Sequence, residues 1–259
     1  MDGFVDGIKE IIKWTYRNSI GALINSVGNS NIKKVCSVKH ERGAVIRVGF
    51  VAQYPTCWDK QAPLFERLLC SDRFEVCIIC PADYDFANSR LSETETPIGY
   101  YKELYPDINI IDFRNIDADI LGYIHSMDYL FYDRYYAHYL PELLLPKYTS
   151  KWSKICLIPY CTYDWNFFVH DMKVIRYAYM YFASDAEEAE EYRKIKGLRG
   201  RKFVFEGYPV YESISKLEYK KNDKFTVLWT PRWSYDPISL NLVLRFSLWS
   251  KSRLSRLTH

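Results

Sequence analysis

"RVGFVAQYPTCWDKQAPLFERLLCSDRFEVCIIC", Arg47 to Cys80, is the stretch whose reading decides the fold. It opens on an apolar run, RVGFVAQ (47–53), and closes on another, FEVCIIC (74–80), with the helical-looking KQAPLFERLLC (60–70) between them. Neither run alternates strictly between apolar and polar residues, so strands formed there are buried on both faces rather than one. Two such strands joined by a helix make a βαβ unit, and the two strands of that unit lie parallel.

The pattern continues downstream. Further apolar runs occur at INIIDF (108–113), YLFYD (129–133), KICLIPY (154–160), YMYFAS (179–184) and KFVFEGYP (202–209). Strand–helix alternation of this kind predicts an α/β fold with a doubly wound, mainly parallel Rossmann-like sheet. The segment DAEEAEEYRKIKG (185–197) carries its own helix signals. Ser184 and Glu187 fit an S-x-x-E capping box. Acids fill the first turns and Arg193, Lys194 and Lys196 the last, which complements the helix dipole at both ends. Those charges are explained by the helix itself.

Ahead of the first strand, residues 1–27 read as an N-terminal amphipathic helix. Phe4, Val5, Ile8, Ile11, Ile12, Tyr16, Ile20, Leu23 and Val27 recur at helical spacing, and NSVGNSN (25–31) is expected to stop it. Two readings stand: a helix docked on its own domain, or a peripheral contact with an anionic bilayer. Asp2, Asp6 and Glu10 count against the second.

Composition narrows the partners. The chain has 259 residues and a net charge of +3, but four of its cations (Arg245, Lys251, Arg253 and Arg256) lie in residues 237–259, which hold no acid. The rest is close to neutral and has no basic stripe, so nucleic acid is not an expected partner. Seven cysteines scattered through apolar runs, with no secretory signal, fit free thiols in the cytoplasm. No apolar run approaches about 20 residues, the length a membrane span needs.

In open parallel sheets ligands bind where strands end and loops begin. The loops in that position are YPTCWDK (54–60), PADYDF (81–86), DRYYAHYLP (133–141), PYCTYDW (159–165) and GYPVYES (207–213), all dense in Tyr, Trp, Asp and Pro. They predict a cleft on this side. Tyrosine, of which the chain has 23, suits a cleft because it couples an apolar face to a polar tip.

The usual signatures of metal and cofactor chemistry do not occur. Cys77-Ile-Ile-Cys80 lies within a predicted strand, where positions three apart face opposite ways. Neither it nor His40, His125, His138, His170 and His259 has metal-ligand spacing. Asp83-x-Asp85 reads as a solvated turn in preference to a cation site. There is no G-x-G-x-x-G, Walker or G-x-S-x-G motif, so no metal and no cofactor is expected.

Three pieces, in order, carry a resemblance. VGFVAQYPTCWDKQAPLFERLLCSDRFEVCII (48–79) resembles the first βαβ unit of bacterial CDP-glycerol glycerophosphotransferase-like proteins, the teichoic-acid and capsule-polymer transferases of GT-B fold. YFASDAEEAEEYRK to KFVFEGYPVYESI (181–214) resembles the end of their first domain, and VLWTPRWSYD (227–236) the strand that opens their second. The resemblance implies the N-terminal half of a GT-B fold. Its first domain would receive a glycan or lipid-linked acceptor, and its second a nucleotide-activated glycerol or sugar donor. It also implies a place in the cytoplasm, at the inner face of the cell membrane. Family members carry an H-G-T histidine as base, yet this chain has no H-G pair and Tyr160 stands near that place. A tyrosine with a pKa near ~10 is a poor base at neutral pH.

This reading divides the chain into an N-terminal helix and linker (1–44), an acceptor-side domain (45–222), and the start of a donor domain (223–259). The last 23 residues, PISLNLVLRFSLWSKSRLSRLTH, have a composition that a shifted frame or a shortened gene would give, and a basic amphipathic tail is the competing reading. An acceptor half without a completed donor half is expected to be inactive alone. The alternative is a non-catalytic acceptor-binding or assembly module that pairs with a separate donor domain. Candidate substrate-binding residues are Gln53, Trp58, Asp59, Asp133, Tyr160, Asp164 and His170. Trp58 suits a core equally well, Asp59 suits a cap for a helix starting at Lys60, and His170 suits a partnered structural role.

Overall fold

Each of the seven predicted runs forms a strand, and together they make one sheet. In the computed structural model β1 is Ile46–Val51 and β2 Phe74–Cys80, followed by a two-residue hairpin of β3 (Tyr84–Asp85) and β4 (Arg90–Leu91). Then come β5 (Asn109–Asp112), β6 (Tyr129–Tyr132), β7 (Lys154–Leu157), β8 (Ala178–Phe182) and β9 (Lys202–Val204). The main sheet runs β5-β2-β1-β6-β7-β8-β9, and every ladder in it is parallel. The fold is therefore α/β and Rossmann-like. The structure describes residues 8, 21–38, 40, 41, 43–85, 88–134, 139–160, 172–194, 197, 198, 201–207 and 209–218.

The helices are α1 (Gly21–Ser37), α2 (Ala62–Leu69), α3 (Ile98–Leu104), α4 (Ala118–His125), α5 (Pro146–Thr149), α6 (Met172–Ile175), α7 (Ala186–Lys194) and α8 (Pro209–Ser215). Short 3-10 turns stand at Pro55–Lys60 and Glu142–Leu144. By its internal contacts the chain divides into Met1–Lys216 and Leu217–His259; of the second unit only Leu217 and Glu218 are described. The stretch 225–236, the tail 237–259, and the candidates Asp164 and His170 all lie outside the described residues. No helix among the described residues is long and apolar enough to cross a membrane.

Alternate residues of each strand feed two separate cores, one on each face of the sheet. Val51, Cys77, Ile79, Leu130, Tyr132, Ile155 and Leu157 join one core with Ile124 of α4, Ile175 of α6 and Tyr192 of α7. Val48, Phe50, Val76, Ile78, Cys80, Phe131 and Cys156 join the other with Trp58, Phe65 of α2 and Tyr101 of α3. Cys77 and Cys80 thus sit on opposite faces, both fully buried, and burial raises the pKa of both thiols. Phe50 is the hub of the second core: its ring stacks on Phe131 at 5.0 Å and meets Phe65 edge-on at 5.2 Å.

Three local expectations are corrected. NSVGNSN does not end a helix, because Asn25–Asn31 lies inside α1. The described face of α1 that docks on the domain is Asn25, Gly28, Ile32 and Val35, whereas Val27 is exposed. The polar residues are retained because they make the dock. Asn29 Nδ2 donates to the Gly197 carbonyl at 2.9 Å, Asn29 Oδ1 accepts from Arg201, and a Cβ on Gly28 would collide with the Arg176 carbonyl oxygen. A helix interior tolerates Gly and Asn when tertiary contacts outweigh their poor propensity. Residues 1–20 of the predicted helix lie outside the described residues apart from Ile8, which is helical and exposed.

The cap of α7 sits one residue later than predicted. Asp185 Oδ1 accepts from the Glu188 N–H at 2.7 Å, while Glu188 reaches back to the Ser184 N–H at 2.6 Å and accepts from Tyr181 Oη at 2.7 Å. Asp competes well with Ser as an N-cap, and the buried Glu188 needs both donors to be accommodated. Asp59, finally, does not cap a helix. It lies in the 3-10 turn paired with Lys60, and α2 starts at Ala62 behind Gln61.

Phe50→Ala is expected to lower the unfolding free energy by about 3–5 kcal/mol, the usual cost of a large aromatic cavity. Urea denaturation followed by tyrosine and tryptophan emission measures it.

Candidate functional site

The winding of the sheet reverses at β1. From β1 the chain goes outward through β2 to β5, then returns to the other side of β1 as β6 and continues outward to β9. In open α/β sheets the ligand crevice opens at the carboxyl ends of the two strands flanking such a reversal. Here those strands are β1 and β6, which are in register with Val51 opposite Tyr132. The residues that follow them are therefore neighbours: Ala52, Gln53 and Tyr54 from β1, and Asp133 and Arg134 from β6. The chain beyond β7 adds Pro159 and Tyr160.

Gln53 ties these loops together. Its side chain is 1 % exposed, and Nε2 donates to the Ala82 carbonyl beyond β2 and the Tyr139 carbonyl beyond β6, both at 2.7 Å. A second strut comes from Tyr54, whose hydroxyl accepts from the Tyr84 N–H at 3.1 Å. Tyr84 in turn packs edge-on against Tyr139, with ring centroids 4.8 Å apart. The loops after three different strands are thus held as one surface.

Asp133 is buried beneath that surface. One of its neighbours is Gln61, whose amide donates to the Val51 carbonyl at 3.3 Å and lies in hydrogen-bonding reach of the Asp133 carboxyl. Burial raises the carboxyl from its ordinary range to about 7, against the lowering effect of the Arg134 N–H, Gln61 and the Arg134 charge. Cys57, also close to Asp133, is pushed up to about 11, first by burial and then by the carboxylate. The side-chain oxygens Gln53 Oε1, Gln61 Oε1 and Asp133 Oδ2 are buried without a hydrogen-bond partner. Buried polar atoms without partners are uncommon in folded proteins, and a group that such atoms could bond accounts for them.

Arg134 stands at the surface of the same cluster, half-buried among tyrosines. Its guanidinium carbon lies 4.2 Å from the Tyr54 ring centroid, 4.7 Å from Tyr139 and 5.2 Å from Tyr160. Each ring supplies a cation–π contact worth about 0.5–2 kcal/mol according to its desolvation. Burial raises the pKa of Tyr54 as well, so its hydroxyl stays protonated and able to donate at neutral pH.

Of the predicted site residues, Gln53, Asp133 and Tyr160 come together here. Trp58 and Asp59 go elsewhere. Trp58 is 3 % exposed in the second core, with Nε1 donating to Tyr105 Oη at 3.1 Å, and Asp59 is exposed on the 3-10 turn. Asp85 takes the turn role expected of it, with its carboxylate accepting from the N–H and the amide of Asn88. Among the described residues no group of three His, Cys, Asp or Glu side chains is placed to hold a metal. Arg134, Tyr54, Tyr139 and Gln61 were not singled out from the sequence. The available signal was a basic residue set directly after a strand-ending Asp in the tyrosine-rich DRYYAHYLP.

No family model, curated protein or solved structure matches the chain.

The raised Asp133 carboxyl has a sign that can be tested. The folded protein holds the proton more tightly than the unfolded chain, whose Asp titrates near ~3.9, so stability is greatest below that pH and falls as pH rises through about 7. Asp133→Asn removes the titration. The variant is expected to exceed the wild type in stability at pH 8, with the gap narrowing toward pH 5. Denaturant midpoints at both pH values measure it.

Proposed function

We propose that this chain carries the acceptor-side domain of a CDP-glycerol glycerophosphotransferase-like or related glycosyltransferase enzyme of cell-wall or capsule polymer synthesis. The observation that carries the reading is the polar cluster of Gln53, Asp133, Arg134 and Tyr160 at the point where the sheet reverses. A parallel sheet of this order directs its crevice there, and ligand sites combine an apolar and aromatic lining with a few fixed polar groups. Two of the resembling segments support it by their position: residues 48–79 form β1-α2-β2, and residues 181–214 form β8-α7-β9-α8. In this reading the acceptor is a glycan or lipid-linked chain end reached from the cytoplasm at the inner face of the membrane.

A non-catalytic acceptor-binding or assembly module is the second reading. It is favoured by Tyr160, which stands near the place expected for the basic histidine of the resembling family and contributes an aromatic face to Arg134.

Isothermal titration with short poly(glycerol phosphate) oligomers and, separately, with CDP-glycerol tests the acceptor assignment. The oligomers are expected to bind at least about tenfold more tightly, a difference of about 1.4 kcal/mol. Tighter binding of CDP-glycerol would overturn the acceptor-side reading, and so would no binding of either.

A further inference from the structure

We infer that Arg134, caged by Tyr54, Tyr139 and Tyr160, is a phosphoryl-binding residue: it receives the oxyanion of a phosphate monoester or diester at the carboxyl end of β6. The inference deepens the acceptor reading by naming the chemical group held, and it rests on that reading only for the identity of the molecule bearing the phosphate.

The geometry of the guanidinium carries it. Three tyrosine ring centroids lie within 5.2 Å of its carbon, so the cation sits over aromatic faces. A guanidinium donates hydrogen bonds in its plane, from the edges, and stacking leaves those edges free to bond. Nε is buried with no hydrogen-bond partner, and Arg134 forms no salt bridge among the described residues. An unpartnered buried donor on a permanent cation is costly to maintain, and an incoming acceptor relieves the cost.

The acceptor most suited to an arginine fork is a planar or tetrahedral oxyanion that takes two parallel N–H bonds. A phosphoryl group has more acceptor oxygens than a carboxylate. It can take the fork on one edge and still accept from a tyrosine hydroxyl such as Tyr54, which burial keeps protonated. The neighbouring Asp133 does not substitute for the ligand. Its carboxyl is 1 % exposed, and Oδ2 itself has no partner, so it underlies the site without neutralising the fork by direct contact.

Two walls of the cage, Tyr139 and Tyr54, are held by the same tie points as the crevice. Gln53 fixes the Tyr139 backbone, and Tyr54 is fixed through the Tyr84 N–H. Arginine therefore loses little further side-chain freedom when the ligand arrives, which favours affinity.

The test is a titration of the full chain with inorganic phosphate, glycerol 3-phosphate, glycerol and acetate, read from the arginine Nε–Hε resonances by NMR. One Nε–Hε signal is expected to shift saturably with phosphate and glycerol 3-phosphate and not with glycerol, and that signal is expected to be missing from Arg134→Lys. Arg134→Lys keeps the charge but loses the fork, and Arg134→Gln loses both. Binding should weaken about tenfold or more in Arg134→Gln and by less in Arg134→Lys, with far-ultraviolet circular dichroism unchanged. If either variant fails to fold, the wild-type titration decides alone. No saturable shift up to roughly 10 mM phosphate overturns the inference, as does equal binding of acetate or unchanged binding in both folded variants. Phosphate binding that depends on Arg134, together with no binding of poly(glycerol phosphate), would uphold the phosphoryl site and overturn the acceptor reading.

Discussion

Both faces of the central sheet are buried, and the rest of the molecule is arranged around that requirement. A parallel sheet leaves no strand free to face water, so every strand needs apolar residues at successive positions and a helical layer on each side. Phe50 and Val51, adjacent in β1, serve different cores, and so do Leu130 and Phe131 in β6. Strands β1 and β6 are central in the sheet order and the most constrained by this demand. Their carboxyl ends are for the same reason the most rigid places from which loops can emerge.

That rigidity explains how a polar cluster survives at the top of an apolar sheet. Gln53, Gln61 and Asp133 are each at most 1 % exposed and each retains an unpartnered oxygen, an arrangement that opposes folding unless surrounding contacts over-determine it. The surroundings do so here: the strand register fixes Val51 against Tyr132, and the Gln53 amide clamps the loops after β2 and β6. Stability is given up locally at a site whose position is fixed by the packing beneath it.

The docking of α1 shows the same division of labour in a second setting. Its sequence is poor for an isolated helix, with Asn25, Gly28, Asn29 and Asn31 in its interior. Asn31 donates to Ser150 Oγ at 3.0 Å and Asn29 to Gly197, while Ile32 and Val35 add buried apolar surface. The polar residues that make the helix weak alone are the ones that specify where it sits.

The sequence alone determined the strands, because burial on both faces forces unbroken apolar runs that no other element of this length requires. It also made Gln53, Asp133 and Tyr160 legible, since polar residues directly after such runs can lie only at the mouth of the sheet. The order of the strands, and hence which loops meet, was settled by tertiary structure. Nothing local distinguishes β6 returning beside β1 from β6 continuing beyond β5. The tertiary structure likewise moved Trp58 into the core, where Phe50, Phe65 and Tyr101 offered it a packed aromatic site. It carried α1 through Asn29 and Asn31 by giving them partners, and it gathered Tyr54, Tyr139 and Tyr160 from three loops around Arg134. A cage of that kind has no sequence signature, because its members are far apart along the chain and become neighbours only when the parallel sheet brings its loop ends together.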